Sequence, residues 1–343
     1  MTTLLPPPAV PESALTSALS VAESIASKDR SNLFLTSQFF TDPARYDAFI
    51  AMYAVMRVID DLVDDVPDKA RLSEAGRTVL LRSIDAWENR IRNAYSGAPF
   101  AEPLDVALSA AVRTFPVPID FWRRFLDAMR FDVSNPRFAD FREFVEYGEG
   151  ATVAPTAMYV YLLTSERQPD GRYVVKDFDY AACGRDLGLF AYVAHVLRDV
   201  RTDLEVGDGG LVYLSLDDLA RHDLSESDLF TLTSGSAPQA MLERWRSLVR
   251  DLCARARVMC SSGAGMARTT WVSIPEDCEF IFRLIIAMYA ELLDRIEADP
   301  DRVLSGEPVL SAADREAILE ATAAAAGFNL PGEITRPAAR PGG

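Results

Sequence analysis

The feature that most constrains this chain is an acidic cluster at the end of an apolar run. Residues 50–65 read IAMYAVMRVIDDLVDD. On a helix, residues four apart project from one face, so Asp60 stacks on Asp64 and Asp61 on Asp65. Like charges at that spacing repel, and an isolated helix would be destabilised by them. The preceding residues are apolar, so this end of the helix lies near a core. Carboxylates held there need a compensating cation, and their hard oxygens suit Mg²⁺.

A second segment repeats the pattern. LGLFAYVAHVL runs into Arg198-Asp199-Val200-Arg201-Thr202-Asp203. Tyr192, His195, Asp199 and Asp203 share one helical stripe, as do Tyr53, Arg57, Asp60 and Asp64. Each stripe carries an aromatic residue, a polar or cationic one, and two carboxylates. One such segment alone reads equally well as an acidic helix end facing water. Two of them point to facing helices that hold Mg²⁺ ions against one diphosphate. Arg57 and Arg198 would contact its oxygens, and the metals would stabilise charge on the leaving group. Phe34, Tyr53, Tyr147 and Tyr192 are candidates to shield an allylic cation. Asp61 and Asp65 remain alternatives to Asp60 and Asp64 as ligands.

The rest of the chain is patterned for an all-α fold. Helices are expected over 43–65, opened by Asp42-Pro43, and over 73–95, ended by Gly97. Others follow over 103–114, 118–130, 140–164 (kinked at Pro155), 177–204, 237–262, 275–298 and 311–326. Residues 167–175 read as a loop. The Pro-rich residues 1–12 and 328–343 are expected to be disordered tails, flanking one helical domain over 13–327. The chain has 343 residues, of which 49% are hydrophobic, enough for a large core.

The formal net charge of −16 argues against nucleic-acid binding and against docking on anionic membrane. No apolar run is long enough to span a bilayer, and the N-terminus does not resemble a signal peptide. Cys183, Cys253, Cys260 and Cys278 form no CxxC pair, which fits reduced thiols of a cytoplasmic protein. There is no P-loop, no dinucleotide fingerprint and no Glu-x-x-His pair for a di-iron site.

These residues resemble the squalene/phytoene synthase family of head-to-head prenyltransferases. YAVMRVIDDLVDD is similar to that family's first aspartate motif, and HVLRDVRTDLEVGDGGLVYLSLDDL to its second. SNLF at 31–34 resembles its N-terminal S-x-x-F, and Tyr147 before GEGATVAP matches a tyrosine ahead of a helix-breaking segment. The resemblance covers roughly residues 28–300. It implies an isoprenoid-synthase-type helical bundle with a central cavity and Mg²⁺. Asp60, Asp64, Asp199 and Asp203 would bind metal. Phe34, Tyr53, Arg57, Tyr147, Tyr192, Arg198 and Tyr213 would line the substrate sites.

The departures shape the expected chemistry. Tyr192 and His195 stand where the family has Gln and Asn. GDGGLV replaces a cationic RGR before Tyr213, and the C-terminal segment carries no Lys or Arg until Arg315. Fewer cations weaken the grip on two diphosphates together. The expectation is therefore a prenyltransferase that carries an allylic prenyl group to carbon of an aromatic, carbazole- or indole-like acceptor in secondary metabolism. Head-to-head condensation of two prenyl diphosphates is the alternative. A cyclising terpene synthase shares the same metal logic, while the intact Asp pairs speak against a non-catalytic binding protein. His195 is either the base that removes the final proton or a hydrogen-bonding stand-in for Asn. His222, in a polar stretch, reads as a surface residue.

Overall fold

The structure, a computed structural model, describes residues 12–28, 31–64, 66, 72–98, 102–134, 137–206, 210–307 and 309–330. Helices make nearly all of it. α1 (Glu12–Ala26) and the short α2 (Asn32–Ser37) precede α3 (Pro43–Asp64), the first acidic helix. Asp42 caps α3 by accepting the Ala44 N–H at 3.0 Å, and Pro43 takes the first turn, where its missing N–H costs nothing. α4 (Glu74–Ser96) is capped by Ser73 and closed by Gly97 at φ 73°, a left-handed conformation that glycine adopts without a Cβ clash. α5 (Pro103–Thr114) and α6 (Ile119–Asp132) follow.

The helix expected over 140–164 is present but divided. α7 (Phe141–Gly148) runs into a π-helical turn (Glu149–Val153) and then α8 (Ala154–Thr164). Pro155 cannot donate to the turn before it, and the wider π turn absorbs the mismatch that was expected as a kink. The loop expected over 167–175 contains a minimal hairpin. β1 (Glu166–Arg167) pairs antiparallel with β2 (Tyr173–Val174), with Glu166 opposite Val174.

α9 (Tyr180–Leu204) is the second acidic helix, and it packs on α8 and on α12 (Gln239–Thr270). Glycines make both contacts close. A Cβ on Gly184 would lie 2.5 Å from Ala157 Cα, and one on Gly263 would lie 2.7 Å from Leu187 Cγ. α12 continues to Thr270, past the expected end at 262, and Gly263 lies where it crosses α9. Between α9 and α12 lie α10 (Leu216–Arg221) and α11 (Glu226–Thr233). α13 (Glu276–Ala298), the short α14 (Arg302–Ser305) and α15 (Ala312–Ala326) complete the bundle.

Residues 1–11 and 331–343, most of the two expected tails, lie outside the described residues. Glu12 already opens α1, and Phe328 is packed in place, stacked on Phe280 with centroids 4.1 Å apart. The four cysteines are free. Among the described residues, no helix is long and apolar enough to cross a membrane.

Candidate active site

α3, α8, α9 and α13 enclose a cavity of about 440 Å³. Its floor is apolar, with Phe125, Leu163, Phe190 and Phe282 among the lining residues. Its polar end carries Arg57 and Asp60 from α3, His195 and Arg198 from α9, and Arg315 from α15. A second, more polar cavity of about 370 Å³ adjoins it and holds Asp199, Arg201 and Thr202. Asn32, Arg198 and Arg315 line both. The arrangement is an apolar chamber that ends in charge.

The acidic ends of α3 and α9 act on each other electrostatically. Burial, then the nearby charge of Asp64, pushes the Asp60 carboxyl up to about 7, while Arg57 pulls it down. Asp60 keeps 36% of its side chain exposed, and the cavity it lines accounts for that exposure. Asp203 is pushed up to about 8 by burial, then by Asp199 on its own helix and by Asp64 across the site. Asp199 is held by Arg198, whose Nε and Nη2 donate at 2.7 and 2.5 Å. Asp64 is the exposed last residue of α3.

Arg57 reaches both neighbouring carboxylates: Asp61 accepts from its Nη2 at 2.9 Å and lies 3.8 Å from Lys28 Nζ, and Asp60 lies 3.8 Å from its Nη1. Asp65, the other alternative ligand, lies outside the described residues.

The aromatic candidates divide into two groups. Tyr53 lines the cavity, donates to Ser31 Oγ at 2.7 Å and stacks on Phe49. Tyr147, Tyr192 and Tyr213 instead form a cluster beside the carboxylates and do not line the main cavity. Tyr147 lies 6.0 Å from Tyr192 and 6.1 Å from Tyr213, centroid to centroid, and Tyr192 stacks on Phe144 at 4.4 Å. Burial and then the charge of Asp132 push all three phenols well above their usual range. Tyr192 Oη is buried without a hydrogen-bond partner among the described residues. Phe34 departs from expectation. It is packed in the core at 8% exposure, and its neighbours Ser31, Asn32 and Leu33 face the cavity. The six-residue α2 turns the motif's phenylalanine inward.

Three residues of the site were not singled out from the sequence. Asp132, 2% exposed at the end of α6, accepts from Tyr213 Oη at 3.3 Å and adds charge beside both Asp60 and Asp203. Its signal was a carboxylate on the buried stripe Phe125, Ala128, Met129. Tyr289 lies in a continuous apolar stretch of α13, and nothing local marks it; its Oη lies 2.7 Å from His195 Nε2. Arg315 was noted only as a distant cation, yet it lines both cavities and has no carboxylate in ion-pair reach among the described residues.

The family model described as Squalene/phytoene synthase matches residues 26–314. Phytoene synthase 1, chloroplastic, of Solanum lycopersicum is 29% identical over 257 residues, 75% of this chain and 56% of that protein. The 15-cis-phytoene synthase of Synechocystis is 28% identical over 273 residues, 78% of this chain and 73% of that protein. The chain thus spans little more than half the length of that plant relative. Among solved structures, a dehydrosqualene synthase superposes with a TM-score of 0.69 at 19% identity, covering 91% of this chain and 98% of that one. A squalene synthase of Alicyclobacillus acidocaldarius gives 0.66 at 18%, covering 84% and 96%. The two structures share the fold, and with the family match over most of its length the chain belongs to the squalene/phytoene synthase family.

Proposed function

We propose that this protein joins two allylic prenyl diphosphates head to head. The supporting observation is the pair of adjoining cavities that share Asn32, Arg198 and Arg315. Two anionic headgroups are accommodated at one polar end, and the apolar chamber takes the hydrocarbon chains. The cations missing from the second motif favoured an aromatic acceptor; Arg315, supplied by α15, offsets part of that loss. The relatives and their names favour the head-to-head alternative as well, and the aromatic-acceptor reading has no support from them.

Asp60, Asp64, Asp199 and Asp203 are the residues that would hold Mg²⁺. Among the described residues no three acidic or histidine side chains converge to cage a metal by themselves. Two carboxylate pairs on different helices instead suit an ion that keeps waters and shares its coordination with phosphate oxygens. Asp60 and Asp203, whose ionisation is made costly first by burial and then by the carboxylates of Asp64 and Asp199 respectively, have the donor chemistry such an ion relieves. When bound, Mg²⁺ supplies positive charge to a departing diphosphate. Arg57, Arg198 and Arg315 bind its oxygens, the apolar walls exclude water, and Tyr53 shields the developing cation.

The test is incubation with Mg²⁺ and farnesyl or geranylgeranyl diphosphate, alone and with hydroxylated indoles and carbazoles, read by mass spectrometry. A hydrocarbon or cyclopropyl diphosphate of twice the prenyl length from one substrate alone supports the proposal. A prenylated aromatic formed only with both substrates overturns it.

A further inference from the structure

We infer that Tyr289 and His195 form a proton relay that ends the reaction by taking a proton from the coupled carbocation, so that the product is an alkene made without a reductant. The inference rests on the head-to-head reading above. It starts from a contact that no motif announces: Tyr289 Oη lies 2.7 Å from His195 Nε2, the rings tilted at 60°. Both side chains line the main cavity. Tyr289 is 7% exposed and packs edge-on against Phe190, and Ile285 and Ile286 extend the same apolar wall.

A carbocation in such a chamber is quenched by water, by hydride or by a base. The apolar wall excludes the first, and the phenol–imidazole pair supplies the third. Burial, and then the Arg198 guanidinium, push the imidazole down to about 3, so it enters the reaction neutral. Burial holds the phenol protonated. In the resting pair, Tyr289 O–H donates to the bare Nε2 and leaves a phenol lone pair turned to the cavity. The C–H bond next to the cationic carbon breaks, and its electron pair becomes the new C=C bond. The proton goes to Tyr289 Oη as the phenol's own proton passes to His195 Nε2. The positive charge thereby moves from substrate to imidazolium, which passes its proton to the released diphosphate. A carbocation is acidic enough that even a depressed imidazole accepts its proton. An Asn at this position could not accept a proton in this way.

The experiment compares wild type, His195→Asn and Tyr289→Phe on one prenyl diphosphate with Mg²⁺, measuring diphosphate release and product identity together. The relay predicts that, per diphosphate released, the ratio of alkene to retained cyclic intermediate falls about 100-fold. Unchanged product ratios in both variants overturn the relay while leaving the head-to-head reading intact. A wild-type protein that condenses no prenyl diphosphate overturns both. Independently of turnover, ¹⁵N NMR of histidine-labelled protein should show the proton of His195 on Nδ1; an Nε2–H tautomer overturns the relay as written.

Discussion

The charge of Asp64, the last residue of α3, reaches Asp203 on α9 and, after burial and Asp199, helps to raise the Asp203 carboxyl to about 8. These two residues belong to different motifs and different helices. Their coupling links the two acidic helix ends electrostatically.

The coupling has a pH signature. Asp60 and Asp203 ionise near 3.8 in an ordinary setting, but at about 7 and about 8 here. The metal-free fold therefore binds more protons than the unfolded chain between about pH 4 and 8. Their contribution to stability is present below that window and is lost as pH rises through it. Denaturation midpoints in EDTA should fall less from pH 5 to pH 8 for Asp203→Asn than for wild type. Mg²⁺ added at pH 8 should raise the wild-type midpoint and leave the variant's nearly unmoved. Equal pH slopes for the two proteins would refute the coupling.

Removing one carboxylate should separate catalysis from folding. Asp60→Asn and Asp199→Asn should each lower condensation by about 100-fold or more, the scale of losing one group that stabilises developing charge. Asp60→Asn should melt at or above the wild-type temperature at pH 8, because the repulsion with Asp64 is relieved. Thermal scans beside steady-state rates check both halves.

Arg315 should matter for substrate affinity. A hydrogen bond to a charged group contributes about 1.5–3 kcal/mol, so Arg315→Gln should raise KM for the prenyl diphosphate about ten-fold or more. Arg315→Lys should recover part of the loss, because it restores the charge without the planar fork. An unchanged KM would remove Arg315 from the site.

His195 should stay neutral where an ordinary histidine is charged. Its folded value of about 3 lies below the usual 6.5, so the unfolded chain binds the extra proton between them. Stability from this group is present above about pH 6.5 and is lost as pH falls toward 3. Histidine ¹⁵N shifts at pH 5 should show the His195 ring neutral.

The close crossing of α8 and α9 should tolerate no added methyl group. Gly184→Ala puts a Cβ against Ala157 backbone and should cost about 1–3 kcal/mol, read by urea denaturation at constant slope.

Much of the fold was legible along the chain, because helix periodicity is local. α3 and α5 run where Asp42-Pro43 and Pro103 open them. The errors arose where a local signal had a distant cause. The helix expected to end at 262 runs on to Thr270, with Gly263 packed against Leu187 of α9. Pro155 reads as a kink, while the surrounding helices accommodate a π turn. Phe328 reads as tail until Phe280 provides its ring.

The site divides in the same way. Sequence alone determined that Asp60 pairs with Asp64 and Asp199 with Asp203, because a helix of 3.6 residues per turn places i and i+4 together whatever surrounds it. Only the tertiary structure decided that the two pairs act on each other and that Asp132 stands beside them. It also turned Leu33 to the cavity in place of Phe34, set Tyr289 against His195, and brought Arg315 to the polar end where the two cavities meet. Those relationships depend on burial and on distances between segments far apart in sequence, and a charge or a proton responds to what is near it in space.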